Sequence, residues 1–304
     1  MIGLRGISWV LLAAAFAAGT LADIAPARPR IFLGGYRVLS GDFHLHPSPY
    51  SASTLTPWDL MWEAQHQGLD VVAIAGQNEI WSGRAAHWVA RHLGGPTVLA
   101  SEEIHGPDFH MIAVGIRSTV SWRLTAAKAI GEIHRQGGVA IAAHPSAGSW
   151  PAFDAAAMQQ LDASEVLQPA VFGSDSATAE LRAFFTRKPM AAIASTDWHG
   201  LGPPGLCRTW LFVHSNSEEE VLRAIRERRT VVYDRGDYFG RPELVKLAMS
   251  EGRLREKAKE SRWGAVSRIL GMLAIGLAVG CWFKSGVGGC GKTGAGDRGP
   301  GAGV

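Results

Sequence analysis

The sequence predicts an α/β fold, a closed or nearly closed barrel of mostly parallel strands covered by helices, and two observations carry that prediction. Between residues 36 and 234, short apolar runs of strand length alternate with longer stretches of helical pattern, punctuated by Gly and Pro. Metal-binding side chains stand where several of the short runs stop: His44-Leu45-His46, Glu102-Glu103, His110, His144-Pro145 and Asp197-Trp198-His199. In an α/β barrel the C-terminal ends of the strands converge on one mouth, whatever their separation along the chain.

The first strand is expected over Tyr36 to His46, where alternation along an extended chain puts the imidazoles of His44 and His46 on one face. Thr56-Pro57 opens a helix that runs to Gln67, proline being favoured in a first turn. Leu69 to Ala75 reads as strand, Arg84 to Leu93 as helix, and Thr97 to Glu102 and His110 to Val114 as two further strands. A helix over Thr125 to Gln136 precedes strands over Val139 to Ala143 and Ser164 to Leu167. Ser174 to Arg187 is helical, Met190 to Ser195 and Thr209 to Val213 are strands, and Ser217 with Glu220 reads as a capping box opening a helix to Arg228.

The two ends differ in composition from this middle. Residues 1–22 have a basic start (Arg5), an apolar centre and a small-residue exit, the pattern of a signal peptide or N-terminal anchor. The α/β domain is then expected over 23–240, a charged helical linker over 241–262, a transmembrane helix over 263–284 and a disordered Gly-rich tail over 285–304. The leader favours an exported, membrane-anchored domain. Arg253, Arg255, Lys257, Lys259, Arg262 and Arg268 favour the alternative, a cytoplasm-facing domain held by its C-terminal anchor.

Three cysteines, Cys207, Cys281 and Cys290, supply no disulfide framework. The net charge of +3 equals the excess of six basic over three acidic residues in 251–268, so the remainder is near neutral and no basic surface argues for nucleic acid as a primary partner. Gly286 to Thr293 matches the phosphate-loop spacing, but no buried strand delivers it and the Gly-rich residues after it do not form a helix, so nucleotide binding is rejected.

The gathered ligands point to a divalent-metal hydrolase, in which the ion makes water a nucleophile at neutral pH. Here the chain resembles the polymerase and histidinol phosphatase (PHP) superfamily of metal-dependent phosphoesterases, over about residues 38–234. Asp42-Phe43-His44-Leu45-His46 is similar to the family's opening Asp-x-His-x-His, Ser101-Glu102-Glu103 with His110 to its Glu motif and following His, and Ala143-His144-Pro145 and Ser195-Thr196-Asp197-Trp198-His199 to its last two motifs.

The resemblance implies a distorted seven-stranded (β/α) barrel with His44, His46 and Asp197 on one ion, Glu103 bridging two, and His110 with His144 completing the second. It also implies Asp42 behind an imidazole, His199 as a further ligand or as the acid that protonates the leaving group, and one or two Zn, Mn or Fe ions. Arg208 reads as a catalytic grip on phosphate. Glu103 is preferred to Glu102 as the ligand, and His105 reads as a loop residue beside the mouth. Two departures are plain: Gln77 stands where the family carries an imidazole, and Ser51-Ala52-Ser53 lacks its Asp. Both lost groups serve a third metal, so a mono- or dinuclear site is expected. The substrate is expected to be a small phosphorylated ester. A carbaryl-hydrolase-like branch keeps carboxylic or carbamic esters open, and a membrane-tethered, catalytically weak binding domain is the non-enzymatic alternative.

Overall fold

A computed structural model describes residues 3–23, 29–169, 174–200, 202–255 and 262–287. They fall in two compact units, Pro26–Lys259 and the terminal segments Met1–Ala25 with Glu260–Val304. Helix α1 (Leu4–Asp23) belongs to the terminal unit. The larger unit opens with β1 (Ile31–Leu33), β2 (Tyr36–Leu45), α2 (Pro57–His66), β3 (Val71–Gln77), α3 (Trp81–Leu93), β4 (Thr97–His105) and β5 (His110–Val114). It continues through α4 (Ala126–Arg135), β6 (Val139–Ala142), α5 (Ala155–Gln160), β7 (Ala163–Leu167), α6 (Asp175–Phe185) and β8 (Ala191–Ala194). It closes with β9 (Thr209–Val213), α7 (Glu218–Arg226), β10 (Thr230–Asp234), β11 (Asp237–Gly240) and α8 (Pro242–Met249), before α9 (Arg262–Val287) returns to the terminal unit.

One sheet carries all the strands, in the order β11-β10-β9-β2-β3-β4-β5-β6-β7-β8 with β1 on β2. Strands β2, β3 and β4 are parallel neighbours, as are β6, β7 and β8. Because β5 is antiparallel to both β4 and β6, the two trios run the same way and their C-terminal ends share one rim. The expectation of mostly parallel strands therefore holds for these six and not for the sheet as a whole: β1, β9, β10 and β11 pair antiparallel. The seven strands that the resemblance implied become eleven among the described residues.

The sheet is nearly closed, and one hydroxyl bridges its seam. Thr209 Oγ1 accepts from Ala194 N (2.8 Å) and donates to Ala194 O (3.0 Å), joining β9 to β8 where no backbone ladder does. Leu39, Phe43, Val71, Leu99, Ile141 and Ile193 fill the interior, with Val221, Ala224 and Ile225 of α7. Leu222 of α7 lies against Gly115, just past the C-terminal end of the reversed strand β5, so this helix closes the end opposite the rim. Even-numbered neighbours on β5 point inward (Ile112, Val114) and odd-numbered ones outward (Met111, Ala113), as the two-residue period requires.

Strand β2 breaks that period where it matters. Phe43 belongs to the inner cluster, yet Leu45, two residues on, packs outward with Leu60, Met61 and Ile74. The register of β2 against β3 shifts between Asp42 and Leu45, and this bulge turns His44 and His46 together to the mouth.

Helix α2 is capped as its sequence implied: Thr56 and Asp59 exchange hydrogen bonds in a capping box. At α7 only half of the box forms. Ser217 Oγ accepts from Glu220 N, while the Glu220 carboxylate takes the backbone N–H of His214 and the guanidinium of Arg229. The stretch expected as a charged linker contributes Leu244, Ala248 and Leu254 to a buried cluster with Ile31 and Trp210, so most of its described part belongs to the barrel unit.

In the terminal unit, α1 and α9 pack on each other. Ser8 Oγ donates to Ala274 O and Ser267 Oγ to Ala15 O, with Ala15, Ala18 and Ala274 buried. Among the described residues no helix is long and apolar enough to cross a membrane, which corrects the transmembrane reading of 263–284. The physical reason is length: the uncharged run between Arg268 and Lys284 is Ile269 to Phe283, 15 residues, against the roughly 20 that a bilayer requires. The expected tail disorder, from residue 288 on, lies outside the described residues.

Candidate metal centre

The rim gathers ligands from four strand ends. His44 Nε2 and His46 Nε2 each lie 3.2 Å from Asp197 Oδ1, and 3.5 and 3.4 Å from Glu103 Oε2. On the other side, Glu103 Oε1 is 3.1 Å from His110 Nδ1 and 3.2 Å from His144 Nε2. Three groups of donor atoms lie within 4.8 Å of one another: His44, His46 and Asp197; His44, Glu103 and His144; and Glu103, His105 and His110. Glu103 is thus common to two groups, and His110 sits with His105 instead of sharing a group with His144.

Each imidazole of the opening motif is held by its other nitrogen. His44 Nδ1 bonds Glu165 Oε1 (3.0 Å), and His46 Nδ1 bonds the carbonyl of Ala75 (2.9 Å). With Nδ1 donating, each Nε2 presents a lone pair, a tautomer fixed by its partner. Both Nε2 atoms are buried and make no hydrogen bond, although carboxylate oxygens face them. A lone pair aimed at an anion inside a protein is unfavourable unless a cation lies between them. Two imidazoles and two carboxylates so arranged fit a divalent first-row ion.

The same groups shift one another's ionisation. Burial alone pushes the pKa of His44 down, but Asp197, Glu103 and Glu165 together hold it well above the ordinary range. His46 and His144 are raised against burial in the same way by Asp197 and Glu103. Reciprocally, the surrounding imidazoles hold Glu103 and Asp197 well below the usual carboxylate range, despite the burial that opposes it.

The backbone is also fixed. His144 and Asp197 have φ of +29° and +47°, a region non-glycine residues seldom adopt and one that concentrates at functional sites. The second oxygen of Glu165 accepts the backbone N–H of His144 (2.7 Å), so one buried carboxylate orients two ligands from separate strands. Gln168 Nε2 donates to Asp197 Oδ2 (2.7 Å), leaving Oδ1 to face the imidazoles.

Asp42 has a different duty from the one expected. Its carboxylate accepts the backbone N–H groups of His44, Thr196 and Gly205 and the hydroxyl of Thr196, while Glu165 holds the imidazole. Asp42 therefore ties the loop before Asp197 to β2, and burial raises its pKa to about 6.

Between the adjacent carboxylates, Glu103 faces the imidazoles. Glu102 points to the opposite face of β4, accepts from Val120 N, and is raised by burial to about 7. His199 stands at the mouth: its ring lies 4.5 Å from that of His46, its Nδ1 bonds Asp197 O (2.9 Å), and it is outside the three donor groups. Arg208 is not brought to the cluster. Its guanidinium donates to the carbonyls of Gly205 (2.9 Å) and Gln67 (3.2 Å), the latter just after α2 at the end from which β3 starts. There it lines a cavity of about 380 Å³ with Trp210 and Asp234, which corrects its expected grip on substrate.

The sequence reading left Glu165 and Gln168 unassigned and put His105 in a loop beside the mouth, whereas it is the last residue of β4. A signal existed for two of them: His105 is two residues from Glu103, and Glu165 is a lone charge between Ala163 and Leu167.

Protein-family models give no match to this chain, and neither do curated proteins. Solved structures do. A two-domain protein from Bacteroides vulgatus, described as containing a predicted PHP-like metal-dependent phosphoesterase, matches with a TM-score of 0.57 and 20% identity, over 74% of each chain. The lesion-specific endonuclease EndoQ of Pyrococcus furiosus gives 0.46 and 14%, over 79% of this chain and 71% of that one. An amidohydrolase from Chromobacterium violaceum gives 0.41 and 14%, over 53% and 88%. The chain has the fold of a PHP-like domain: a nearly closed α/β barrel whose rim holds buried His, Glu and Asp clusters able to bind metal.

Proposed function

We propose that this chain is a metal-dependent hydrolase of the PHP type, acting on a small phosphate mono- or diester. The observation that carries this reading is the pair of buried Nε2 atoms of His44 and His46, without hydrogen bonds and turned to Asp197 and Glu103. The phosphoesterase assignment draws further support from the motif resemblance and from the shared fold.

His44, His46 and Asp197 would hold one ion, and Glu103, with its two oxygens facing different imidazoles, would join it to a second. When bound, divalent ions stabilise charge on the phosphoryl oxygens and make water acidic enough to attack at neutral pH. The protein supplies the rest. Glu165 and the Ala75 carbonyl fix the imidazole tautomers, Asp42 ties the loop before Asp197 to β2, and Gln168 fixes the carboxylate of Asp197. His199, half out of the site and tethered through Nδ1 to Asp197 O, hands a proton from Nε2 to the departing oxygen as the phosphorus–oxygen bond breaks.

Full-length protein supplied with Zn²⁺, Mn²⁺ or Fe²⁺ should hydrolyse p-nitrophenyl phosphate or its bis ester in preference to p-nitrophenyl acetate. His199→Ala should lower kcat by about 10²- to 10⁴-fold for alkyl phosphates, and much less for p-nitrophenyl esters, whose leaving group needs no proton. Hydrolysis of the acetate alone would move the reading to carboxylic esters. Inactivity on every ester with each metal would end it.

A further inference from the structure

His105 has no place in the motif resemblance, yet the fold delivers it to the site. Strands β4 and β5 form a tight hairpin in which His105 and His110 are directly paired, and Gly106 N–H donates to Phe109 O across the turn (2.9 Å). Cross-strand partners share a face, and Glu103, two residues before His105, shares it too. The sequence Glu103-Ile104-His105, followed after four residues by His110, is thus a ligand set written into one hairpin.

The geometry is that of donors converging on one point. His105 Nε2 and Glu103 Oε2 share a hydrogen bond of 2.6 Å, whose proton an ion would replace, and His110 Nδ1 lies 3.1 Å from Oε1. The two rings are nearly parallel, 10° apart with centroids at 4.0 Å, and the three donor atoms lie within 4.8 Å of one another. His110 Nδ1 is buried and makes no hydrogen bond. Phe109 anchors the turn on Phe153, and Asn78 Oδ1 accepts the backbone N–H of His105 (2.9 Å). Asn78 follows Gln77, the β3 residue in register with Glu103.

We propose that Glu103, His105 and His110 hold a divalent cation at the mouth of the barrel, apart from the ion of His44, His46 and Asp197. The inference rests on the metal reading above and adds to it a ligand and the division of ligands between ions. With His105 30% and His110 38% exposed, this is the more open of the two sites and the one whose ion exchanges first. His144, 3.2 Å from Glu103 Oε1, lies beside both sets.

Equilibrium dialysis of the full chain against Zn²⁺, followed by elemental analysis, tests this. Wild type is expected to hold two ions. His105→Ala should weaken one of them by at least the ~10- to 100-fold seen for supporting residues and leave the other unchanged, His46→Ala should affect the other, and His105→Asp, which restores a donor, should recover the second ion. Because His105 is partly exposed, truncation removes no core packing, and the recovery separates a ligand from a mere hairpin residue. Two ions of unchanged affinity in His105→Ala, or no recovery in His105→Asp, overturns the proposal. A single ion in wild type, lost only in His46→Ala, overturns it while leaving the hydrolase reading in place. No bound ion in wild type overturns both.

Discussion

Glu165 is the residue whose removal should be most informative, because it is fully buried and grips two ligands at once, the His44 imidazole and the His144 backbone. In Glu165→Gln the amide oxygen still accepts from His44 Nδ1, but its NH₂ faces the His144 N–H, donor against donor. One buried hydrogen bond is lost and a donor left unpaired, a cost of about 1–3 kcal/mol. Most of that cost should appear in metal affinity, because His144 sits at φ +29° and relaxes from that strained conformation when its N–H is released. A rise in the metal Kd of about 10- to 100-fold is expected, on the order of 1.4–2.7 kcal/mol. Competition with a chromophoric chelator measures the affinity directly, and urea unfolding of the metal-free protein measures the accompanying loss of stability. If Glu165→Gln binds metal as wild type does while unfolding at lower urea, then Glu165 supports the strand and not the ligands, and the reasoning fails.

Three further outcomes follow from the same structure. Glu102 titrates at about 7 in the folded chain against an ordinary 4.5; its raised pKa makes folding stability fullest below pH 4.5 and progressively lost as pH rises through 7. The wild type should therefore lose up to roughly 3 kcal/mol relative to Glu102→Gln between pH 4 and pH 8 in denaturant titrations, and parallel pH profiles would exclude this. Thr209→Val removes both hydrogen bonds across the β8–β9 seam and should cost about 1–3 kcal/mol, with amide exchange of Ala194 accelerated; a neutral effect would mean that packing alone holds the seam. Arg229 is buried, paired with Glu220 at 2.9 Å and bonded to Phe212 O, so Arg229→Ala should destabilise by about 3–5 kcal/mol, and adding Glu220→Gln should recover part of it. Failure of the double variant to recover anything would show that lost packing, not a stranded charge, causes the damage.

Much of the site was legible because a strand end leaves a local mark: an apolar run followed by a ligand can be read at His44-Leu45-His46, at Glu103, at His144 and at Asp197 without knowing what lies opposite. Strands β2 to β9 were legible as short apolar runs between Gly- and Pro-rich punctuation. What the sequence hid was relational. Asp42 reads as an imidazole partner because it adjoins the motif, but the β2 bulge turns it to Thr196 and Gly205. Arg208 is close in sequence to Asp197 and yet faces the end of α2, because the ten residues between them, five of them Gly or Pro, give no period from which its direction can be read. The terminal strands β1 and β11 are short and β11 partly exposed, so neither has a clear alternation to read.

Anomalous X-ray scattering from crystals of the full chain grown with Zn²⁺ or Mn²⁺ tests most directly whether these distant residues form one metal centre. A peak bonded to the Nε2 atoms of His44 and His46 and to Asp197, with Glu103 beside it, is the expected result. Well-ordered imidazoles with no anomalous density among them at saturating metal, or an ion bound elsewhere on the chain, would contradict it.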